Sequence, residues 1–195
     1  MMPNSKYKYL ISVIALAAVL GIALAPSVRA GEFDGKTIAQ LVASAKSDFQ
    51  HRHCERGIAI CDELIRRQPA VADHYIIKAS LLDYQIGPNQ AISVLENYLK
   101  KYPHSASPID ELGEYYTSAG NYDKALIWFS EAIKFWPTKA DIYHHRSIAY
   151  ASLKRYDQAI GDLTTYIKLN PKHSRGYQWR AAAYQQSGQW AKSIE

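Results

Sequence analysis

Residues 106–139 read ASPIDELGEYYTSAGNYDKALIWFSEAIKFWPTK, and this stretch decides the fold. In its second half Tyr122, Ala125, the run Ile127-Trp128-Phe129, and Ala132-Ile133 recur at spacings of three and four. That is the period of an α-helix with one apolar face, and strand alternation is missing from it. Ser107 and Pro108 sit where an N-cap and a first helical residue belong, with Asp110 in the first turn, where a negative charge meets the positive end of the helix. Gly120 marks a turn and Pro137 a stop. The segment therefore predicts two helices joined by a tight turn.

The same punctuation recurs outward in both directions. Pro69, Pro103, Pro137 and Pro171 are each 34 residues apart. In that register one column of small residues reads Gly57, Ala91, Ala125, Ala159 and Ser193, and another reads Ala45, Ala79, Gly113, Ser147 and Ala181. Large residues fill neighbouring columns: Leu82, Tyr116, Tyr150 and Tyr184 in one, and Cys61, Leu95, Phe129 and Leu163 in another. The fourth position of each unit holds Leu41, Tyr75, Ile109, Tyr143 and Tyr177. Small residues let paired helices approach, and large ones fill the space between them.

The pattern resembles the tetratricopeptide repeat, in which a large residue, Leu-Gly, Tyr, Ala, Phe, Ala and Pro fall at fixed offsets within 34 residues. Ile109, Leu112-Gly113, Tyr116, Ala125, Phe129, Ala132 and Pro137 match it in place. Units 72–105 and 140–173 match with Tyr98 and Tyr166 in place of a small residue. Unit 38–71 is degenerate, unit 174–195 is incomplete, and residues 31–37 form a short lead. The resemblance implies an all-α, right-handed solenoid of stacked antiparallel helix pairs, about four and a half repeats long. Because the last unit lacks most of its second helix, the expectation is a fragment, or a chain with uncovered apolar surface.

Residues 1–30 carry a different message. Lys6 and Lys8 precede an apolar run at residues 10–25, and Val28-Arg29-Ala30 offers a cleavage site before Gly31. This has the form of a bacterial secretory signal peptide. The alternative is an uncleaved membrane anchor, which would make this segment the only membrane contact. Both readings export the rest of the chain to the periplasm or beyond. A lipoprotein is disfavoured, since no cysteine follows the apolar run.

The 195 residues carry a formal net charge of +5. Beyond residue 30 there are 20 basic and 18 acidic residues, too even a balance for a nucleic-acid partner. No glycine-rich phosphate loop, Gly-x-Ser-x-Gly elbow or His-Glu-x-x-His is present, so catalysis and cofactors are not expected. Asp110, Glu111 and Glu114 are read as solvated acids of a helix surface. His51, His53 and Cys54, with Cys61, are the densest set of metal-ligand types, but in no recognised spacing, so no metal is assigned. Cys61 falls in a packing column and reads as a small buried hydrophobe. Cys54 and Cys61 would stand ~10 Å apart along one helix, too far for a disulfide.

The resemblance further implies a partner-binding groove lined by the first helix of each unit. Asp110, Glu114, His144, His145, Arg175, Gln178 and Trp179 fall on the groove positions. Ile148, Ala182 and Gln186 join them, and an exposed Trp179 is expected beside His145. Relatives that clamp a terminal carboxylate use lysine and asparagine where this chain has Asp110, Glu114 and His145, so a carboxylate ligand is disfavoured. The expected function is an exported, non-enzymatic module that binds a protein or peptide carrying a basic and an apolar side chain. The alternatives are an accessory domain of a larger exported enzyme and, more weakly, a metal-binding protein using His51, His53 and Cys54.

Overall fold

The computed structural model describes residues 32–105 and 107–191. The signal-peptide reading of residues 1–30 and the end of the last unit lie outside them. Among the described residues there are nine α-helices and no strand: α1 (Ile38–Gln50), α2 (Cys54–Arg67), α3 (Ala72–Ile86), α4 (Pro88–Lys101), α5 (Ser107–Ser118), α6 (Tyr122–Phe135), α7 (Ala140–Ser152), α8 (Tyr156–Leu169) and α9 (Ser174–Gln186). None of the helices among the described residues is long and apolar enough to cross a membrane.

Local chemistry sets the helix ends. Thr37 caps α1 in a reciprocal box with Gln40, and the Asn121 side chain accepts from Lys124 N–H at the start of α6. Pro88 opens α4, where its missing N–H is no loss. α5 begins at Ser107 itself, one residue earlier than a Ser107 cap implies. Arg66-Arg67, Lys100-Lys101, Lys134 and Lys168 lie in last turns, against the negative helix ends. Gly120, Lys154 and Gly188, spaced by 34, all take positive φ in the turn between helices, at 75°, 59° and 77°. Only the glycines do so without strain.

The 34-residue proline ruler has a hydrogen-bonded counterpart. Tyr75, Tyr143 and Tyr177, fourth in their units, each donate a hydroxyl proton to the carbonyl of Pro69, Pro137 and Pro171, at 3.0, 2.9 and 3.2 Å. Ile109 has no hydroxyl and is buried in the same column. The small and large columns also meet as expected. Phe129 is fully buried, and a Cβ on Gly113 would lie 2.6 Å from its ring. Glycine is therefore what lets α5 approach α6. Tyr98 and Tyr166, the departures from the repeat pattern, are buried with their hydroxyls engaged, Tyr98 by the Ala70 carbonyl at 2.9 Å.

Consecutive helices pack on one another throughout, and first helices of neighbouring units touch directly along α1, α3, α5 and α7. The result is a solenoid stacked in sequence order, with its largest core cluster spanning α3 to α7. Arg146 grips Asp162 bidentately at 2.8 and 2.7 Å and ties α7 to α8. Cys54 and Cys61 both lie on α2, buried and unbridged.

Candidate functional site

Helix α7 offers two neighbouring histidines, and the stacking order sends them to different seams. His145 meets α5. His144 meets α9. The groove residues read from the sequence divide accordingly.

On the α5 side, Asp110 and Glu114 are one helical turn apart. Lys139, at the N-cap of α7, donates to Asp110 Oδ2 at 2.7 Å. The Asp110 side chain is only 8% exposed, and its Oδ1 is sealed from solvent with no hydrogen bond. Asp110 is thus not the solvated surface acid its helix spacing suggests, because the next unit covers it. Glu114 is half-exposed, and its Oε1 lies 3.1 Å from His145 Nδ1, close enough for an ion pair but off the line of a hydrogen bond. The contact with Glu114 raises the His145 pKa above the ordinary histidine value, against the opposing effect of burial. The same contact lowers Glu114. Glu111 is pushed up by burial first, then by Glu114 and Asp110.

On the α9 side the chemistry is aromatic. The His144 ring stacks on Trp179 at 3.7 Å with the planes 16° apart. Tyr166 meets Trp179 edge-on at 5.4 Å, and its hydroxyl lies 2.8 Å from His173 Nδ1 in a shared hydrogen bond. Burial pushes the His144 pKa down to about 4, with His145 and His173 adding to the effect. Trp179 is half-buried, and its stacking partner is His144, so the expected exposed tryptophan beside His145 is corrected. Direct contact between α7 and α9 is slighter than between earlier first helices. A hollow of about 450 Å³ opens there, walled by His144, Ile148, Trp179, Ala182 and Gln186 over a floor of Ala159 and Leu163 from α8.

Arg175 and Gln178 are exposed on α9 and belong to neither gathering. The sequence reading passed over Lys139, His173 and Tyr166 as site residues. Tyr166 alone left a signal, as a large residue in a small column. The His51, His53 and Cys54 set does not assemble. His51 Nδ1 is engaged by the Ser47 carbonyl at 2.8 Å, His53 lies 3.6 Å from Asp48, and Cys54 is buried.

Two family models of the tetratricopeptide repeat match the chain, one over residues 78–140 and the other over 140–173. Residues 78–173 are tetratricopeptide repeats. Solved structures of MamA proteins share the fold. One, residues 41 to the end of MamA from Desulfovibrio magneticus RS-1, is 14% identical, with a TM-score of 0.72 over 82% of this chain and 90% of that one. Another MamA crystal structure is 20% identical, with a TM-score of 0.71 over 82% and 87%. At these identities the likeness to MamA is one of fold alone. A search of curated proteins finds no match.

Proposed function

We propose that the chain is a non-enzymatic scaffold, exported to the periplasm or secreted from a bacterial cell, that binds a protein or peptide segment across α5, α7 and α9. The observation that carries this reading is the hollow between α7 and α9. Its stacked His144–Trp179 wall and the apolar Ile148 and Ala182 suit a large apolar side chain. The half-exposed carboxylate of Glu114, one seam away, suits a lysine or arginine of the same extended segment. The repeat fold supports a binding role, and the pattern of residues 1–30 supports export.

The test is an array of extended peptides that pair one basic residue with one large apolar residue. Tryptophan fluorescence and affinity are read on the protein and on Trp179→Ala and Glu114→Lys. Each variant is expected to weaken the best peptide about tenfold or more, the scale of one lost hot-spot contact. If binding is indifferent to both variants, the groove assignment fails. Export is checked separately by the mass of the protein recovered from envelope fractions, which should start at Gly31 if the signal is cleaved.

A further inference from the structure

Asp110 and Glu114 from α5 and His145 from α7 each bring one donor atom, two carboxylate oxygens and an imidazole nitrogen, within 4.8 Å of one another. Among the described residues this is the one group of three or more histidine, cysteine or acidic side chains gathered so closely.

Two further facts point to a missing occupant. The Asp110 side chain is more than nine-tenths buried, and its Oδ1 accepts no hydrogen bond, although buried polar atoms are nearly always satisfied. His145 Nδ1 is also sealed from solvent, and its one polar contact is Glu114 Oε1 at 3.1 Å. Both atoms adjoin a seam in which three carboxylates, Asp110, Glu111 and Glu114, face the His145 imidazole and one permanent cation. That cation, Lys139, is itself 46% exposed and occupies only Asp110 Oδ2, so Oδ1 keeps its coordinating capacity.

We propose that Asp110, Glu114 and His145 form a binding site for a divalent first-row transition metal ion, with zinc the best-suited member. One imidazole and two carboxylates are a donor set that zinc accepts, with a fourth position left to water. Calcium and magnesium ask for six or more oxygens and are poorly served. Zinc bonds of ~2.0–2.2 Å place tetrahedral donors roughly 3.4 Å apart. The Glu114–His145 separation of 3.1 Å is already of that size. The remaining gaps are at most 4.8 Å, and the half-exposed Glu114 side chain can rotate to close them. An ion there would staple α5 to α7 and so lock two successive repeats together. The site stands whether or not the groove binds a peptide.

The test uses the whole protein, freed of metal with chelator and titrated with zinc chloride alone. Calorimetry should find one equivalent binding at micromolar affinity or tighter. Cobalt(II), added as a spectroscopic stand-in, should give a visible d–d band, and zinc should raise the melting temperature. Glu114→Gln, at a half-exposed position outside the core, and His145→Gln should each weaken zinc about tenfold or more. Circular dichroism in chelator shows that both variants are folded, and Glu114→Gln serves alone if His145→Gln is not. His53→Ala, far away on α2, should change nothing. No saturable zinc binding overturns the proposal. So does binding that survives both ligand variants, or binding that is lost with His53→Ala.

Discussion

His144 and His145 are neighbours in the chain and share a helix, yet they titrate in opposite directions. His145 faces the carboxylates of α5, and Glu114 raises its pKa. His144 lies against Trp179 and Tyr166, and burial pushes it down to about 4. The backbone supplies the same scaffold to both. What differs is the unit on each side: α5 turns acids toward α7, and α9 turns a tryptophan. A repeat solenoid thus sets side-chain chemistry seam by seam, because each unit touches only its neighbours.

The largest expected effect breaks the acid seam at its base. Gly113→Val drives a branched side chain into the Phe129 ring, where even a Cβ would stand at 2.6 Å. A loss of about 3 kcal/mol in urea unfolding is expected. Gly176→Ala, at a different repeat position on α9, meets Tyr166 at 2.9 Å and should cost less, about 1 kcal/mol. A cost near zero for Gly113→Val would contradict the close approach of α5 to Phe129.

Trp179→Ala comes next. The half-buried indole supports His144 and part of the hollow, so about 2 kcal/mol of stability should go. The His144 pKa should climb back toward the ordinary value, as read by NMR.

Smaller effects appear on the pH axis, with opposite signs. His144 has a folded pKa below its unfolded value, so its contribution is present above about 6.5 and fades as pH falls toward about 4. His144→Asn should therefore flatten the acid limb of the stability curve, by roughly 1–2 kcal/mol. His145 has a raised folded pKa, so its contribution is present below about 6.5 and fades as pH rises through the folded value. His145→Gln should flatten the alkaline side by roughly 0.5 kcal/mol, the scale of a partly exposed ion pair. Urea melts between pH 4 and 8 give both limbs.

The 34-residue period made the helix pairs readable, because the packing itself is periodic: Gly113 against Phe129, and the Tyr75, Tyr143 and Tyr177 hydroxyls on the proline carbonyls. Of the positions given to the groove, His144, Ile148, Trp179, Ala182 and Gln186 line one hollow, Asp110, Glu114 and His145 meet in another seam, and Arg175 and Gln178 stand apart from both. The burial of Asp110 was not readable, because its cover, Lys139, lies in the connection to the next unit, where helical periodicity carries no information. Trp179 stacks on His144 rather than standing beside His145 because side-chain direction decides the contact.

The most direct test of the opposed seams is an NMR titration of the His144 and His145 imidazoles in the folded protein, assigned with His144→Asn and His145→Gln. His144 should stay neutral down to about pH 4, while His145 keeps its proton to higher pH than an ordinary histidine. Two superimposable curves with midpoints near 6.5 would contradict the account, since they would leave α7 with the same surroundings on both sides.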